Sequence, residues 1–73
     1  KLEMLTERER QVLELLARGL TNQAIAEALV ITPNTVKRHL KAIFGKLGVH
    51  TRAAAAARAI SAGVPTDQAA ESL

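Results

Sequence analysis

Four polar side chains between Asn34 and Lys41 have the chemistry of a groove-binding helix. They are Asn34, Lys37, Arg38 and Lys41, and at about 100° per residue they share one side of a helix. Lysine and arginine donate hydrogen bonds to O6 and N7 of guanine in the major groove. Gly45 falls on the same side, where its missing Cβ lets another surface come close to the backbone. We therefore interpret these residues as candidates for reading DNA bases.

The segment that carries these residues has helix signals at both ends, and we place this helix at about residues 33–47. Thr32 can accept a hydrogen bond from the exposed amides of the first turn, and Pro33 suits the first helical position. Gly48 suits the left-handed residue that ends a helix. The side opposite the cations is apolar and is expected to be buried; it comprises Val36, Leu40, Ile43, Phe44 and Leu47.

Residues on the shoulders of this helix are suited to phosphate groups, which position a protein on DNA without reading its sequence. These shoulder residues are Thr35, His39 and Lys46. Asn22 and Gln23 join them from the start of the preceding helix, because the positive end of a helix favours a phosphate. Arg52 begins the last helix and is either a further phosphate ligand or an exposed charge at a helix start.

Helices must position these side chains, and the sequence predicts four of them, at about residues 7–18, 22–29, 33–47 and 51–62. The first begins with a capping box, in which the Thr6 hydroxyl and the Glu9 carboxyl each accept a backbone amide. Glu9 can also pair with a basic residue of the third helix. The second and third helices are joined by a short connection and form a helix-turn-helix. The predicted fold is a single all-α domain over residues 1–73.

The fourth helix is rich in alanine, so its two faces are hard to tell apart. We expect an inward face of Ala53, Ala56, Ala57 and Ile60, and an outward line of Ala55, Ala59 and Ala62. The outward line suits a close contact with a second copy of the chain. Alanine also favours a helix without any such contact, and the spacing leaves both interpretations open. Residues 66–73 are expected either to add a helical turn or to be disordered.

The placement of charge favours a polyanionic partner. The net charge is +3, and residues 28–66 hold six Lys or Arg and no acid. A one-sided basic segment is typical of a nucleic-acid-binding surface, although a solvated surface with chance clustering is the alternative. The chain has no run of membrane length and no signal-peptide pattern.

The composition gives little support to an enzyme or a metalloprotein. There is no cysteine, hence no disulfide framework and no thiolate zinc site. His39 and His50 lack a carboxylate cluster around them in the sequence, so we expect no metal and no cofactor. Thr6 and Glu7 do not make a nucleophile–base pair, and no glycine-rich phosphate loop is present. We expect no enzymatic activity.

Five spaced motifs resemble the LuxR-type helix-turn-helix domain, over about Leu5 to Ala62. They are residues 5–13 (LTERERQVL), 19–26 (GLTNQAIA), 35–40 (TVKRHL), 46–49 (KLGV) and Arg52. The resemblance implies the carboxyl-terminal DNA-binding domain of a bacterial transcription regulator, located in the cytoplasm. It implies that the third helix reads DNA, with Lys37 and Lys41 at the positions that the family uses. Double-stranded DNA, a second copy bound through the fourth helix, and RNA polymerase are the partners that it implies.

The chain departs from the LuxR-type pattern in two places. Val30 stands in a turn where the family often has Gly, Asn or Asp, and a β-branched residue is strained there if its φ is positive. Either the turn avoids that conformation or the chain tolerates the cost. The fourth helix is reduced mostly to alanine, which predicts a weak dimer contact. The alternative function is a helical protein-interaction module, because helix-turn-helix folds also dock onto proteins.

Overall fold

The computed structural model describes residues 2–64, and every regular element in that range is helical. A 3₁₀ helix (Leu2–Met4), which was not predicted, precedes the four α-helices; these are α1 (Glu7–Ala17), α2 (Asn22–Leu29), α3 (Pro33–Leu47) and α4 (Arg52–Ser61). The all-α prediction is confirmed, and each α-helix begins and ends within one residue of its predicted limits. The expectation for residues 66–73 falls outside the described range.

Each α-helix begins after a threonine whose hydroxyl accepts the backbone amide three residues later. The four accepted bonds measure 3.0–3.2 Å, and the capping residues are Thr6, Thr21, Thr32 and Thr51. The capping box of α1 is complete, since Glu9 Oε1 accepts the Thr6 amide at 3.0 Å. Thr21 rather than Asn22 caps α2. The side chain of Asn22 is therefore available for another contact.

The core is formed where α1 packs against α3 and α4 and where α2 packs against α3. Its buried apolar side chains are Val12, Leu13, Leu16, Ile25, Ala26, Val36, Leu40, Ile43, Leu47, Val49, Ala55, Ala59 and Val64. In α1, Val12 and Leu13 are fully buried although they are adjacent in the sequence, and Leu16 is nearly so. Because α1 contacts all three of the other α-helices, its buried surface is wider than one stripe.

The faces of α4 are the reverse of those expected. Ala55 and Ala59 have no exposed surface and pack in the core, so the prediction that they face outward to a second copy is wrong. Ala53 and Ala57 are exposed, and Ile60 is 56% exposed. Where α4 packs on α1, the methyl groups of Ala55 and Ala59 allow the two helices to approach closely. The larger Ile60 is left outside this contact. Ala56 is half-buried, and Ala62 is exposed as expected.

Val30 ends α2 in the left-handed conformation, with φ 59° and ψ 47°. The turn is closed by the Ile31 amide, which donates to the Ala26 carbonyl at 2.9 Å. The valine side chain is 89% exposed and gains little from packing. Of the two alternatives for this turn, the structure therefore supports the one in which the chain tolerates a strained residue.

We expect Val30→Asn to stabilise the protein by about 1 kcal/mol, because asparagine adopts the left-handed region more readily than a β-branched residue. For a domain of this size, that gain raises the melting temperature by about 4–8 °C. Thermal unfolding followed by circular dichroism measures it. Val30→Thr is the matched control, since threonine keeps the branched Cβ. An asparagine variant no more stable than the threonine variant contradicts the assignment of strain.

Candidate DNA interface

The polar side of α3 is open to solvent. Asn34, Lys37, Arg38 and Lys41 are all exposed. Within residues 2–64, none of the three cations makes a hydrogen bond or an ion pair. A Cβ built on Gly45 meets nothing within 4 Å, so this part of the helix surface is flat and unobstructed. The structure thus leaves both the charges and the backbone of this side accessible to a large ligand.

The opposite side of α3 fixes the orientation of the helix. Val36 and Ile43 are fully buried, and Leu40 and Leu47 are nearly so, while Phe44 is half-buried. Rotating the helix to bury its cations would expose these side chains to water, at a cost of about 1.5–3 kcal/mol for each large one. The hydrophobic core therefore determines which side of α3 faces outward.

Thr35 and His39 occupy the shoulders of α3 and are half-buried, as a position between the two sides requires. The Thr35 hydroxyl lies 2.8 Å from the Thr32 hydroxyl, and either atom can be the donor. When Thr32 donates, the proton of Thr35 is left for an external acceptor. Thr35 thus supports the start of α3, and in the arrangement in which Thr32 donates it also retains a donor for a phosphate oxygen.

The third shoulder residue, Lys46, has a partner inside the domain. Its ammonium donates to Glu9 Oε1 at 2.7 Å, joining the last turn of α3 to the first turn of α1. Glu9 is 7% exposed and is the one buried charged residue within residues 2–64. The pairing of Glu9 with a basic residue of the third helix, considered from the sequence, is confirmed. Lys46 remains one-third exposed, so it has donors left over for a phosphate.

The pKa of Glu9 lies below its ordinary value. The hydrogen bond from Lys46 is the largest cause, followed by the hydrogen bond from the Thr6 backbone amide. Burial opposes both by raising the pKa, and electrostatic interactions with Lys46 and His39 lower it further. The carboxylate is therefore stabilised in its charged form, as its position between two donors requires.

The start of α2 is connected to the start of α4. Arg52 donates through Nη1 to Asn22 Oδ1 at 2.6 Å and through Nη2 to the Leu20 carbonyl at 2.9 Å. Gln23 donates from Nε2 to Glu27 Oε2 at 3.3 Å on the same helix. The structure thus brings two of the predicted phosphate-binding residues, Asn22 and Arg52, into direct contact.

Contacts that two arginines make between helices were missed by the sequence analysis. They are the bonds from Arg52 to Asn22 and Leu20, and the bond from Arg58 Nη1 to the Leu47 carbonyl at 2.9 Å. The one signal for the first was the position of Arg52 itself, because a cation in the first turn of a helix opposes the helix dipole. The second joins α4 to the end of α3 and carries no comparable signal.

The described residues contain no group of three or more His, Cys, Asp or Glu that could hold a metal ion. None of the described helices is long and apolar enough to cross a bilayer. The candidate interface on α3 is built from hydrogen-bond donors and positive charge.

A helix-turn-helix whose second helix presents exposed cations opposite a buried face defines a DNA-binding domain. Residues 3–59 match the family described as bacterial regulatory proteins, luxR family, and the chain belongs to this family. Members of this family are DNA-binding domains that act in transcription regulation, and they catalyse no reaction. The resemblance stated from the sequence motifs is thereby confirmed.

The curated relatives are named as transcriptional regulators or as response regulators. The chain is 53% identical over 60 residues to the probable transcriptional regulatory protein SgaR of Hyphomicrobium methylovorum, covering 82% of this chain and 28% of that protein. It is 54% identical over 50 residues to the response regulator protein VraR of Staphylococcus aureus, covering 68% and 24% respectively. The chain spans about a quarter of the length of the curated relatives that it matches.

We expect Lys46→Ala to lower the free energy of unfolding by about 1–2 kcal/mol, because Glu9 loses its strongest donor while Lys46 is partly solvated. Lys41→Ala, on the exposed side of the same helix, serves as the matched control and should change stability little. Urea unfolding at neutral pH measures both variants. Equal stability of the two variants is the result that contradicts a structural role for the ion pair.

The contribution of this pair should also depend on pH. Because the pKa of Glu9 is lowered in the folded protein, its stabilisation is complete above the unfolded value of about 4.3 and is lost as pH falls through the folded value. We therefore expect the stability difference between wild type and Lys46→Ala to shrink below about pH 4. Urea unfolding at pH 7 and at a series of acidic pH values checks this, and a constant difference contradicts it.

Proposed function

We propose that the chain binds specific sites on double-stranded DNA with α3 in the major groove. The observation that carries this proposal is the exposed side of α3, whose three cations have no partner within residues 2–64. In this proposal Lys37, Arg38 and Lys41 donate to base edges, and Asn34 adds a contact near the start of the helix. Lysine and arginine are suited to guanine, which presents two acceptors in the groove.

The residues around this stripe hold the DNA backbone in the proposed complex. The phosphate contacts come from Asn22, Gln23, Thr35, His39 and Lys46, with Arg52 beside Asn22. The first helix of a helix-turn-helix crosses the backbone, which directs the start of α2 to a phosphate. The free amides and positive dipole end of α2 support such a contact. These contacts set the register of α3 without reading the sequence.

We further propose that two copies associate through α4 on a palindromic site. The face suited to this contact is the exposed one found in the structure, which carries Ala53, Ala57 and Ile60. Small side chains allow close approach, and Ile60 supplies an exposed apolar side chain on the same face. A twofold dimer places its recognition helices about 34–36 Å apart, or one turn of DNA.

We infer that the chain is the carboxyl-terminal domain of a longer regulator acting in the bacterial cytoplasm, with RNA polymerase as a further partner. Its match to about a quarter of each curated relative supports this inference. Selection of bound duplexes from a random pool at physiological salt tests the central proposal, because it reports DNA binding, base preference and site symmetry together. Enrichment of no sequence would instead favour the protein-interaction module.

We expect Lys37→Ala to weaken binding to the selected duplex by about 1–3 kcal/mol and to relax preference at one base-pair position. The reason is the loss of a donor to a base edge, which a scrambled duplex does not use. Titrations of both duplexes measure the two affinities. Arg8→Ala, an exposed cation of α1, serves as the control and should leave base preference unchanged. Equal losses for Lys37→Ala on selected and scrambled duplexes rule out base reading.

We expect Ile60→Glu to abolish cooperative binding to a duplex with two half-sites, because it places a charge at the centre of the proposed contact between copies. Binding to a duplex with one half-site should be unchanged. Ile60→Leu keeps the apolar contact and should retain cooperativity. Titration of both duplexes compares the three proteins. Undiminished cooperativity in Ile60→Glu would exclude this face as the dimer contact.

A further inference from the structure

Arg52 connects two helix starts that are far apart in the sequence. Its terminal nitrogens bind Asn22 Oδ1 at 2.6 Å and the Leu20 carbonyl at 2.9 Å, at separations of 30 and 32 residues. A guanidinium presents its donors as a rigid planar fork, so it can hold two acceptors in fixed relation, which an ammonium does less well. The fork thereby fixes the first residue of α2 to the first residue of α4.

The stability of α4 itself does not explain an arginine at this position. A cation in the first turn of a helix is unfavourable because the N-terminal end of the helix dipole is positive. Arg58 lies in the last turn of the same helix, where a cation is favourable, and donates to the Leu47 carbonyl at 2.9 Å. The role of Arg52 therefore depends on the two acceptors that its side chain binds, Asn22 Oδ1 and the Leu20 carbonyl.

We propose that Arg52 is a positioning residue that aims the amide NH2 of Asn22 at a DNA phosphate, an inference that rests on the proposed function. A side-chain amide has one acceptor oxygen and one donor nitrogen. Because Arg52 has donors only, it holds the oxygen and leaves the NH2 group turned away from it. Within residues 2–64, that NH2 group has no hydrogen-bond partner. Since Thr21 caps α2, Asn22 is not needed for the cap.

The charge environment supports the same role. Both acceptors of the Arg52 fork are neutral oxygens, and within residues 2–64 Arg52 has no carboxylate partner. Its positive charge therefore adds to the positive end of α2 instead of being neutralised. A phosphate beside Asn22 meets an oriented donor in a positive potential, while the fork of Arg52 keeps its hydrogen bonds inside the domain.

A double-mutant cycle tests this proposal on a duplex selected by the wild-type domain. The variants are Asn22→Ala, Arg52→Lys and the combination of the two; the lysine keeps the charge but loses the fork. We expect each single change to weaken binding about tenfold, which corresponds to the loss of one hydrogen bond to a charged group. The double variant should bind no more weakly than the weaker single variant, because Arg52 acts through Asn22.

The salt dependence separates positioning from direct phosphate contact. Removal of a lysine or arginine that neutralises a phosphate lowers the slope of log affinity against log salt by about 0.9. We expect Arg52→Ala to lower the slope by much less than this, because its charge lies near the phosphate without contacting it, although the affinity falls. Arg58→Lys is the matched control, with the same substitution on the same helix, and should bind as wild type. All affinities are measured well below the unfolding temperature of each variant.

Asn22→Asp provides a second route that preserves the fold, because its carboxylate still accepts from Arg52 but has no NH2 group. We expect it to lose at least as much affinity as Asn22→Ala while unfolding at the wild-type temperature or above. Wild-type binding by Asn22→Asp, wild-type binding by Arg52→Lys, additive losses in the cycle, or a slope lowered by the full amount of about 0.9 in Arg52→Ala each overturn the proposal. Failure of the wild-type domain to bind any duplex would instead overturn the proposed function.

Discussion

One oxygen atom of Glu9 joins the first turn of α1 to the last turn of α3. The candidate interface on α3 depends on this connection. Glu9 Oε1 accepts the Thr6 amide at 3.0 Å and the Lys46 ammonium at 2.7 Å. The first bond caps α1, and the second attaches the last turn of α3 to that cap. Because the carboxylate is buried, removing either donor leaves a charge poorly compensated. The start of the fold and the orientation of α3 are therefore coupled.

The other end of α3 is fixed by local geometry. Thr32 caps the helix and Pro33 occupies its first position, immediately after the turn that holds Val30 in the left-handed conformation. This turn sets the path from α2 into α3, and the chain accepts a strained residue to make it. Held at both ends and buried along one side, α3 presents its polar side in a single orientation. Such preorganisation reduces the entropy lost on binding.

The parts of this structure that are encoded locally could be predicted from the sequence, and the others could not. Thr6, Thr21, Thr32 and Thr51 signal helix starts through chemistry within four residues, so the helix limits were correct. The faces of α4 were wrong because alanines at Ala53, Ala55 and Ala57 are equally apolar, and only packing on α1 distinguishes them. The bond from Arg52 to Asn22 depends on how two distant helix starts approach each other. No periodic pattern in the sequence predicts that approach.

The structure also changes the meaning of the basic segment. Residues 28–66 contain six Lys or Arg and no acid, which from the sequence suggests a broad cationic surface. Three of these cations, at Lys46, Arg52 and Arg58, donate to oxygens of the domain itself. The remaining three lie on the exposed side of α3. The cations of this segment that have no hydrogen-bond partner within residues 2–64 thus lie together on α3, at the positions proposed to read bases. This arrangement supports the proposed sequence-specific binding to DNA, because a polyanion binder that reads no bases has no need of it.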